Sequence, residues 1–471
     1  MEQNEILTIL GLELPDIAMS SDKENLAFYG RDSYMNYVPN ASAILFPKTT
    51  KEVQQIIYCA NKYNFKIVPS GGRTGLSGGA TAVNGEVVVS MNKMNRILAI
   101  DDIDKTITAQ SGVTIQEIQN AAEERNLYYP IEYAAVGTSQ VGGNIATNAG
   151  GIHVIRYGMT REWVKGLQVV TGNGDILNLN KGLVKNNSGL DFRHLFIGSE
   201  GIIGIITEAT LQLTNKPTRK STYLLGLAKI ENVVDLLSFI RTKTQLHAFE
   251  FFSDEALSHA LEEKSTFYPL AARYNYYVIL EYESSHTIEH DSKLMDDPFL
   301  SMIKNQNGII DGTQTFEPKV QELIWKIREN IPSSLNRKSP YKFDISVRPS
   351  FIPAFIDELE GWRTMNDVSL ELILFGHVGD GNIHINIPKP EKMDLNNFMS
   401  LCHQKGEAIY RLLEKYQGSV SAEHGIGLSK KNILHITKSS FEIDAMVEIK
   451  HIFDRNNILN PGKIINDESK K

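Results

Sequence analysis

Apolar positions along the chain switch repeatedly between strand spacing and helix spacing. From Ala43 the run AILFP reads as a strand, TTKEVQQIIYCANKYN as a helix, and KIVPS as a strand that runs into a glycine-rich loop. Within that helix Val53, Ile56, Ile57 and Ala60 recur on one face, and Thr49-Thr50 ahead of Glu52 supply a cap and a first-turn carboxylate. Strand patterns continue at EVVVSM, ITAQSG, LQVVTG and GIIGIITEATLQL, with a helical pattern, TIQEIQNAAEERN, among them. Residues 1–35 predict a short helical lead-in.

After Asn215-Lys216-Pro217 glycine thins out. Strand STYLLGLA, helix ENVVDLLSFIRTK, strand HAFEFFS, helix DEALSHALEEK and strand YNYYVILEYES then alternate, the pattern of a sheet covered by helices. SKLMDDPFLSMIKNQNG reads as a helical insertion. Helix EPKVQELIWKIREN, strand YKFDISV and helix FIPAFIDELEGWR follow. ELILFGHVGDGNIHINI predicts a hairpin turning at Gly379-Asp380-Gly381-Asn382, and a helical tail ends in FDRNNILNPGK. The fold class is α+β, without internal repeats. The expected division is a lead-in over 1–35, a first domain over 36–217, a second over 218–417 carrying the hairpin, and a C-terminal segment over 418–471.

Composition narrows the function. The 471 residues are 42% hydrophobic and 22% charged, ordinary for a chain with a real core. Lys and Arg number 48 against 56 Asp and Glu, and the net charge of −8 argues against general nucleic-acid binding. The two cysteines, Cys59 and Cys402, build neither a disulfide framework nor a CxxC site, which suits a reducing compartment. No apolar run approaches the roughly 18 residues of a transmembrane helix, and MEQNEILTILGLELPD has no basic start. The expected location is cytoplasmic, or peripheral on the inner face of a membrane.

Three glycine loops suggest a phosphate-containing ligand: PSGGRTGLSGGA (69–80), GTSQVGGNIATNAGG (137–151) and GSEGIIGIIT (198–207). Backbone N–H groups can approach a diphosphate closely where side chains are absent. Any one loop alone reads more readily as a tight turn. None of the Gly-x-Gly pairs extends to GxGxxG and no GK[ST] occurs, so neither the dinucleotide fingerprint nor a Walker loop is present.

Together PSGGRTGLSGGA, VGGNIATNAGG, LFIGSEGIIGIIT and NILNPGK resemble flavoenzymes of the vanillyl-alcohol-oxidase type. Within them the chain is similar to FAD-dependent D-2-hydroxyacid dehydrogenases. That group includes D-2-hydroxyglutarate dehydrogenases, D-lactate dehydrogenases and the flavoprotein subunit of glycolate oxidase. The resemblance runs from about residue 35 to the C-terminus. It implies an FAD domain of two α+β subdomains, a cap with an antiparallel sheet, and a C-terminal segment returning to the flavin. It further implies FAD contacts from Pro69, Ser70, Gly71, Gly72, Arg73, Thr74, Gly75, Gly78 and Gly79 of the first loop. From the second it implies Gly137, Thr138, Gly142, Gly143, Asn144, Ala146 and Thr147, and from the third Glu200, Gly201, Gly204 and Ile206, with Asn460 from NPGK. The first loop holds neither His nor Cys, so FAD is expected to be non-covalent.

FGHVGDGNIHIN places His377 and His384 on opposite arms of the hairpin, with Asn386 on the strand face of His384, and SAEHGIG supplies Glu423 and His424. Either hairpin histidine alone reads more readily as a strand cap or core residue. Two His and a carboxylate make a divalent-metal site with open positions; zinc fits best, and manganese or iron takes the same ligands. By the resemblance His377, His384 and Glu423 bind the metal, His424 is the catalytic base, and Arg328, Lys342 and Asn386 contact substrate. Where D-2-hydroxyglutarate dehydrogenases carry Thr four residues after the Arg, this chain has Pro332.

The expected activity is oxidation of a D-2-hydroxyacid, first D-2-hydroxyglutarate, with D-lactate or glycolate as alternatives. A flavin-carrying electron-transfer subunit is the alternative of another class. The expected partners are the hydroxyacid and an electron acceptor such as a quinone, an electron-transfer flavoprotein or a cytochrome, with a homodimer as one assembly state.

Overall fold

The structure, a computed structural model, describes residues 1–217, 219–283, 308–366 and 370–466. The insertion expected at SKLMDDPFLSMIKNQNG lies outside them apart from Gly308. The chain divides into two compact units. The first comprises Met1–Gly151, Gly158–Lys216 and Glu423–Lys471; the second comprises Ile152–Tyr157 and Pro217–Ala422.

In the first unit, Ala41–Phe46, Glu86–Ser90 and Ile67–Ser70 are parallel neighbours in a four-stranded sheet. Helix Thr50–Tyr63 connects two of them. Thr49 Oγ1 accepts the N–H of Glu52 at 3.2 Å, and Asn64, left-handed at φ 55°, ends the helix. Val53, Ile56, Ile57 and Ala60 are buried against the sheet, as their spacing predicts. The lead-in is more than helical: besides Gln3–Glu13 and Lys23–Tyr29 it adds an antiparallel edge strand, Ala18–Ser20, paired with Ala41–Phe46. A five-stranded antiparallel sheet follows, in the order Ile97–Asp101, Thr106–Gln110, Gly204–Gln212, Val164–Thr171, Ile176–Leu179. The predicted helix beside it spans Ile115–Glu123 and begins with a capping box between Thr114 and Glu117. One reading needs correction. VGGNIATNAGG is not all loop, because Val141–Ala146 forms a short helix in spite of its two glycines.

The second unit is built on one seven-stranded antiparallel sheet. Its order is Ile309–Thr315, Lys220–Leu227, Tyr276–Glu283, Leu246–Ser253, Ile373–Gly376, Asn382–Ile387, Tyr341–Ser346. Helix Pro318–Asn336 lays Ile324, Ile327, Ile331 and Leu335 against Leu224, Phe252, Ile279, Ile373 and Phe375. Glu250 and Glu281 lie two residues from Phe252 and Ile279, so strand alternation sends both carboxylates to this same face. His384 and Asn386 share it, as cross-strand partners of Phe375 and Ile373.

Candidate active site

In the first unit the site is made of backbone. Strand Ile67–Ser70 delivers the first loop from its carboxyl end, the usual ligand side of a parallel sheet. The loops lie against one another. A Cβ on Gly72 would fall 2.0 Å from the Thr138 carbonyl oxygen, and one on Gly201 (φ 76°) 3.1 Å from Pro69 Cγ. The Glu200 N–H donates to Ala146 O at 2.8 Å. Asn460 Nδ2 donates to Gly79 O at 2.8 Å and to Glu200 O at 2.7 Å, so NPGK ties the first loop to the third.

Two kinds of observation bear on whether FAD suits these loops. Cβ atoms on Gly137 and Gly143 would meet nothing within 4 Å, so nothing in the protein itself requires glycine there by crowding. Several buried polar atoms in and beside the loops have no hydrogen-bond partner: Ser70 Oγ, Arg73 Nη1, Ser111 Oγ, Gln140 Oε1 and Asn460 Oδ1. Buried orphans are rare, and a polar ligand satisfies them. The residues therefore fit a large polar cofactor.

Other expected contacts are occupied within the protein. Asn144 accepts from Thr160 Oγ1 at 2.7 Å and donates to the Tyr133 hydroxyl at 2.9 Å. Thr147 Oγ1 donates to Gly143 O at 3.0 Å and Thr138 Oγ1 to Ala135 O at 3.4 Å. Arg73 stacks on Phe28, 3.8 Å from the ring centroid. Ile206 points into the core and Gly204 sits beside Phe196, so these strand residues have only backbone to offer a ligand. Gly142 is held by close approach to Ser111; Gly71, Thr74, Gly75 and Gly78 complete the first loop, with Gly75 O accepting from Ser33 N.

Glu200 does something the sequence did not suggest. Its carboxylate accepts the N–H groups of Ile426 at 2.7 Å and Gly427 at 2.8 Å. These are the second and third residues after His424, so Glu200 anchors the turn that carries the expected base. Burial pushes its pKa up to about 7, against the downward pull of those two N–H groups.

In the second unit the site is made of side chains. His377 follows strand Ile373–Gly376, His384 lies in Asn382–Ile387, and their ring centroids are 5.5 Å apart at 81°. A buried carboxylate addresses each ring at Nδ1. Glu250 Oε1 is 2.5 Å from His377 Nδ1, and Asp344 Oδ1 is 3.6 Å from His384 Nδ1. Carboxylates stand in this position behind metal-bound histidines. Asn382 Nδ2 holds Asp344 in turn at 3.0 Å.

Glu250 also bonds Arg328. Its Oε2 accepts Arg328 Nε at 2.8 Å, and the guanidinium carbon lies 4.7 Å from the Phe375 ring centroid. Burial works to raise the Glu250 pKa, but the charges of His377 and Arg328 outweigh it and bring it to about 2. With Nε occupied, the Nη donors of Arg328 remain for a carboxylate. Lys342 is the cross-strand partner of Asn386; its ammonium donates to Asn336 Oδ1 at 2.6 Å, and desolvation pulls its pKa down although the residue as a whole is exposed. The Asn386 side-chain oxygen is buried without a partner. Pro332, inside the helix, cannot give the Arg328 carbonyl its usual helical N–H. Glu423 and His424 belong to the first unit, directly after Ala422, whose N–H donates to Asp344 O at 3.3 Å.

Glu250 and Asp344 were missed in the sequence. Their signal was a carboxylate on an inward strand position, in HAFEFFS and YKFDISV. Among the described residues no helix is long and apolar enough to cross a membrane.

Comparisons with known proteins identify the family. Residues 41–180 match the family described as FAD binding domain, and residues 216–464 the family described as FAD linked oxidases, C-terminal domain. The chain is 43% identical to the D-2-hydroxyglutarate dehydrogenase of Stutzerimonas stutzeri, over 94% of this chain and 95% of that one. It is 32% identical to the mitochondrial D-2-hydroxyglutarate dehydrogenase of Danio rerio, over 96% and 82%. It is also 32% identical to a D-2-hydroxyglutarate–pyruvate transhydrogenase of Saccharomyces cerevisiae, over 96% and 92%. Among solved structures, p-cresol methylhydroxylase with substrate bound aligns with TM-score 0.79 at 15% identity, over 99% and 98% of the two chains. The 4-ethylphenol oxidase of Gulosibacter chungangensis aligns with TM-score 0.74 at 17% identity, over 98% and 96%. These two share the fold of vanillyl-alcohol-oxidase-type flavoproteins. The chain belongs to the FAD-linked oxidases and is an FAD-dependent oxidoreductase.

Proposed function

We propose that the protein oxidises D-2-hydroxyglutarate to 2-oxoglutarate. The observation that carries this reading is the Glu250 clasp, which fixes a guanidinium and a metal-type imidazole on one sheet face. The relatives named above act on the same hydroxyacid by their names. A dicarboxylate substrate suits two cations, Arg328 and Lys342, with the amide of Asn386 between strands.

His377 and His384, with Glu423 from the AEHG motif, would hold a divalent ion, best zinc; bound there, it would make the substrate hydroxyl a stronger acid. FAD held by the glycine loops would supply the acceptor for the C2 hydride. His424 would take the hydroxyl proton, since a neutral imidazole carries the lone pair that a general base needs. The hydroxyl proton and the C2 hydride account for the two hydrogens lost as C2 becomes a ketone. Arg328, Lys342 and Asn386 orient the carboxylates so that C2 presents its hydrogen. Glu250 holds His377, Asp344 lies beside His384, and Glu200 holds the turn after His424. The onward electron acceptor would be of the quinone, electron-transfer-flavoprotein or cytochrome type.

The test is anaerobic. The FAD-loaded, zinc-supplemented protein is mixed in turn with D- and L-2-hydroxyglutarate, D- and L-lactate, glycolate and D-malate. Bleaching of the flavin fastest by D-2-hydroxyglutarate is the expected result. Bleaching by D-lactate alone would replace the substrate, and bleaching by none would sink the reading.

A further inference from the structure

A second histidine–carboxylate cluster lies within the second unit, apart from the hairpin pair. His153 precedes the short helix Val154–Tyr157, His247 lies in strand Leu246–Ser253 and Glu281 in strand Tyr276–Glu283. All three are buried, His247 to 0% exposure, and one ligand atom from each lies within 4.8 Å of the others.

The strands are shaped for this meeting. Leu246 pairs with Tyr282 and Ala248 with Glu281, so His247 is the extra residue of a β-bulge. A bulge re-aims one side chain at a local cost in ladder hydrogen bonds. Glu281 is turned as well. Its Oε2 accepts Thr222 Oγ1 at 3.2 Å and Trp325 Nε1 at 3.3 Å, which leaves Oε1 for the histidines. His153 Nε2 lies 3.8 Å from that oxygen, and the two imidazole rings stand at 81° with centroids 5.9 Å apart. Two residues along the same strand, Glu283 Oε2 lies 3.6 Å from His247 Nε2.

The decisive atom is on His247. Neither of its ring nitrogens makes a hydrogen bond, though the residue is fully buried. A buried polar group left without a partner is costly, so an unpartnered one points to a missing ligand. A buried imidazole without a hydrogen-bond partner, a second imidazole and a carboxylate held by outer donors make a donor set for a borderline divalent ion.

We propose that His153, His247 and Glu281 form a second divalent-metal site, of the zinc class, with Glu283 within reach of the same ion. Its role is structural: it fastens the segment around Val154–Tyr157 to the central strands of the sheet. Lys220 is the competitor. Its ammonium lies 3.0 Å from Glu281 Oε1 and its side chain is 29% exposed, so it neutralises the carboxylate without metal and withdraws to solvent when an ion enters.

Elemental analysis of the full-length, FAD-loaded protein after equilibration with zinc tests this. In a His384→Gln background, which removes the hairpin pair from the count, about one zinc per chain remains. Adding His247→Gln or His153→Gln removes it. Lys220→Met, which needs no ligand change, is expected to tighten zinc at this site by about tenfold or more, as a neighbouring positive charge is lost. Cobalt in place of zinc should give the visible bands of a four-coordinate ion that vanish with His247→Gln. The proposal is overturned if the His384→Gln protein holds no zinc, or if its zinc is indifferent to His153, His247 and Lys220.

Discussion

The two units solve the problem of building a site in opposite ways. In the first, the glycine loops approach one another through backbone, the Glu200 carboxylate holds the 425–427 turn, and Asn144 is bonded within the protein while Ser70 and Asn460 keep a buried polar atom without a partner. In the second, glycine shapes the hairpin turn at Gly376, Gly379 and Gly381, while the polar groups are side chains: one sheet face carries carboxylates, imidazoles and a guanidinium, with Glu250 paired to Arg328 and His377. A cofactor common to many substrates can be held by chain geometry. A particular hydroxyacid needs charges at set positions, and charges in a buried face must be paired to be kept there.

The largest expected effect lies in the second unit. Glu250→Ala strips the shared carboxylate from Arg328 and His377 and should cost about 3–5 kcal/mol of stability, read by denaturant unfolding. A loss under 1 kcal/mol would mean that the clasp is not a buried ion pair.

Glu200 gives the next effect, through pH. Its folded pKa, about 7, lies above the ordinary 4.5, so the folded state binds the extra proton. Its contribution to stability is full below about pH 4.5 and is lost as pH rises through 7, by about 3 kcal/mol. Glu200→Gln should flatten that part of the pH–stability curve of the FAD-free protein. An unchanged curve would place the titration elsewhere.

Gly143→Ala separates cofactor from fold. Its Cβ meets nothing in the protein, and alanine suits a helix, so the FAD-free protein should hold or gain up to about 1 kcal/mol. FAD affinity should fall by at least about tenfold, read by flavin fluorescence. Unchanged FAD affinity would remove Gly143 from the cradle. Gly72→Ala, 2.0 Å from the Thr138 carbonyl oxygen, should instead lower both.

The smallest effect is Thr49→Ala. It removes one helix cap and should cost about 1 kcal/mol by thermal unfolding, with flavin content unchanged.

What the sequence discloses follows the same divide. Helix Thr50–Tyr63 was legible because its cap, its apolar face and its end are local. The hairpin was legible from GDGN, since turn chemistry is local too. Val141–Ala146 was read as loop because its glycines argue against helix, and the strand of the lead-in was hidden in a three-residue edge. The Glu250 clasp joins residues 78 and 127 positions apart, so no spacing rule reaches it. Glu250 could have been suspected only as a charge facing inward from an apolar strand. The bulge at His247 depends on register with Tyr276–Glu283, which a single strand's sequence does not contain.

The most direct measurement is anaerobic flavin reduction by D-2-hydroxyglutarate in His384→Gln beside the unaltered protein. If the first unit's loops hold the cofactor and the hairpin histidines of the second serve the substrate rather than the flavin, the variant keeps its full flavin content while reduction by the hydroxyacid falls by orders of magnitude. A variant that loses its flavin, or one that is reduced at the unaltered rate, would contradict that division.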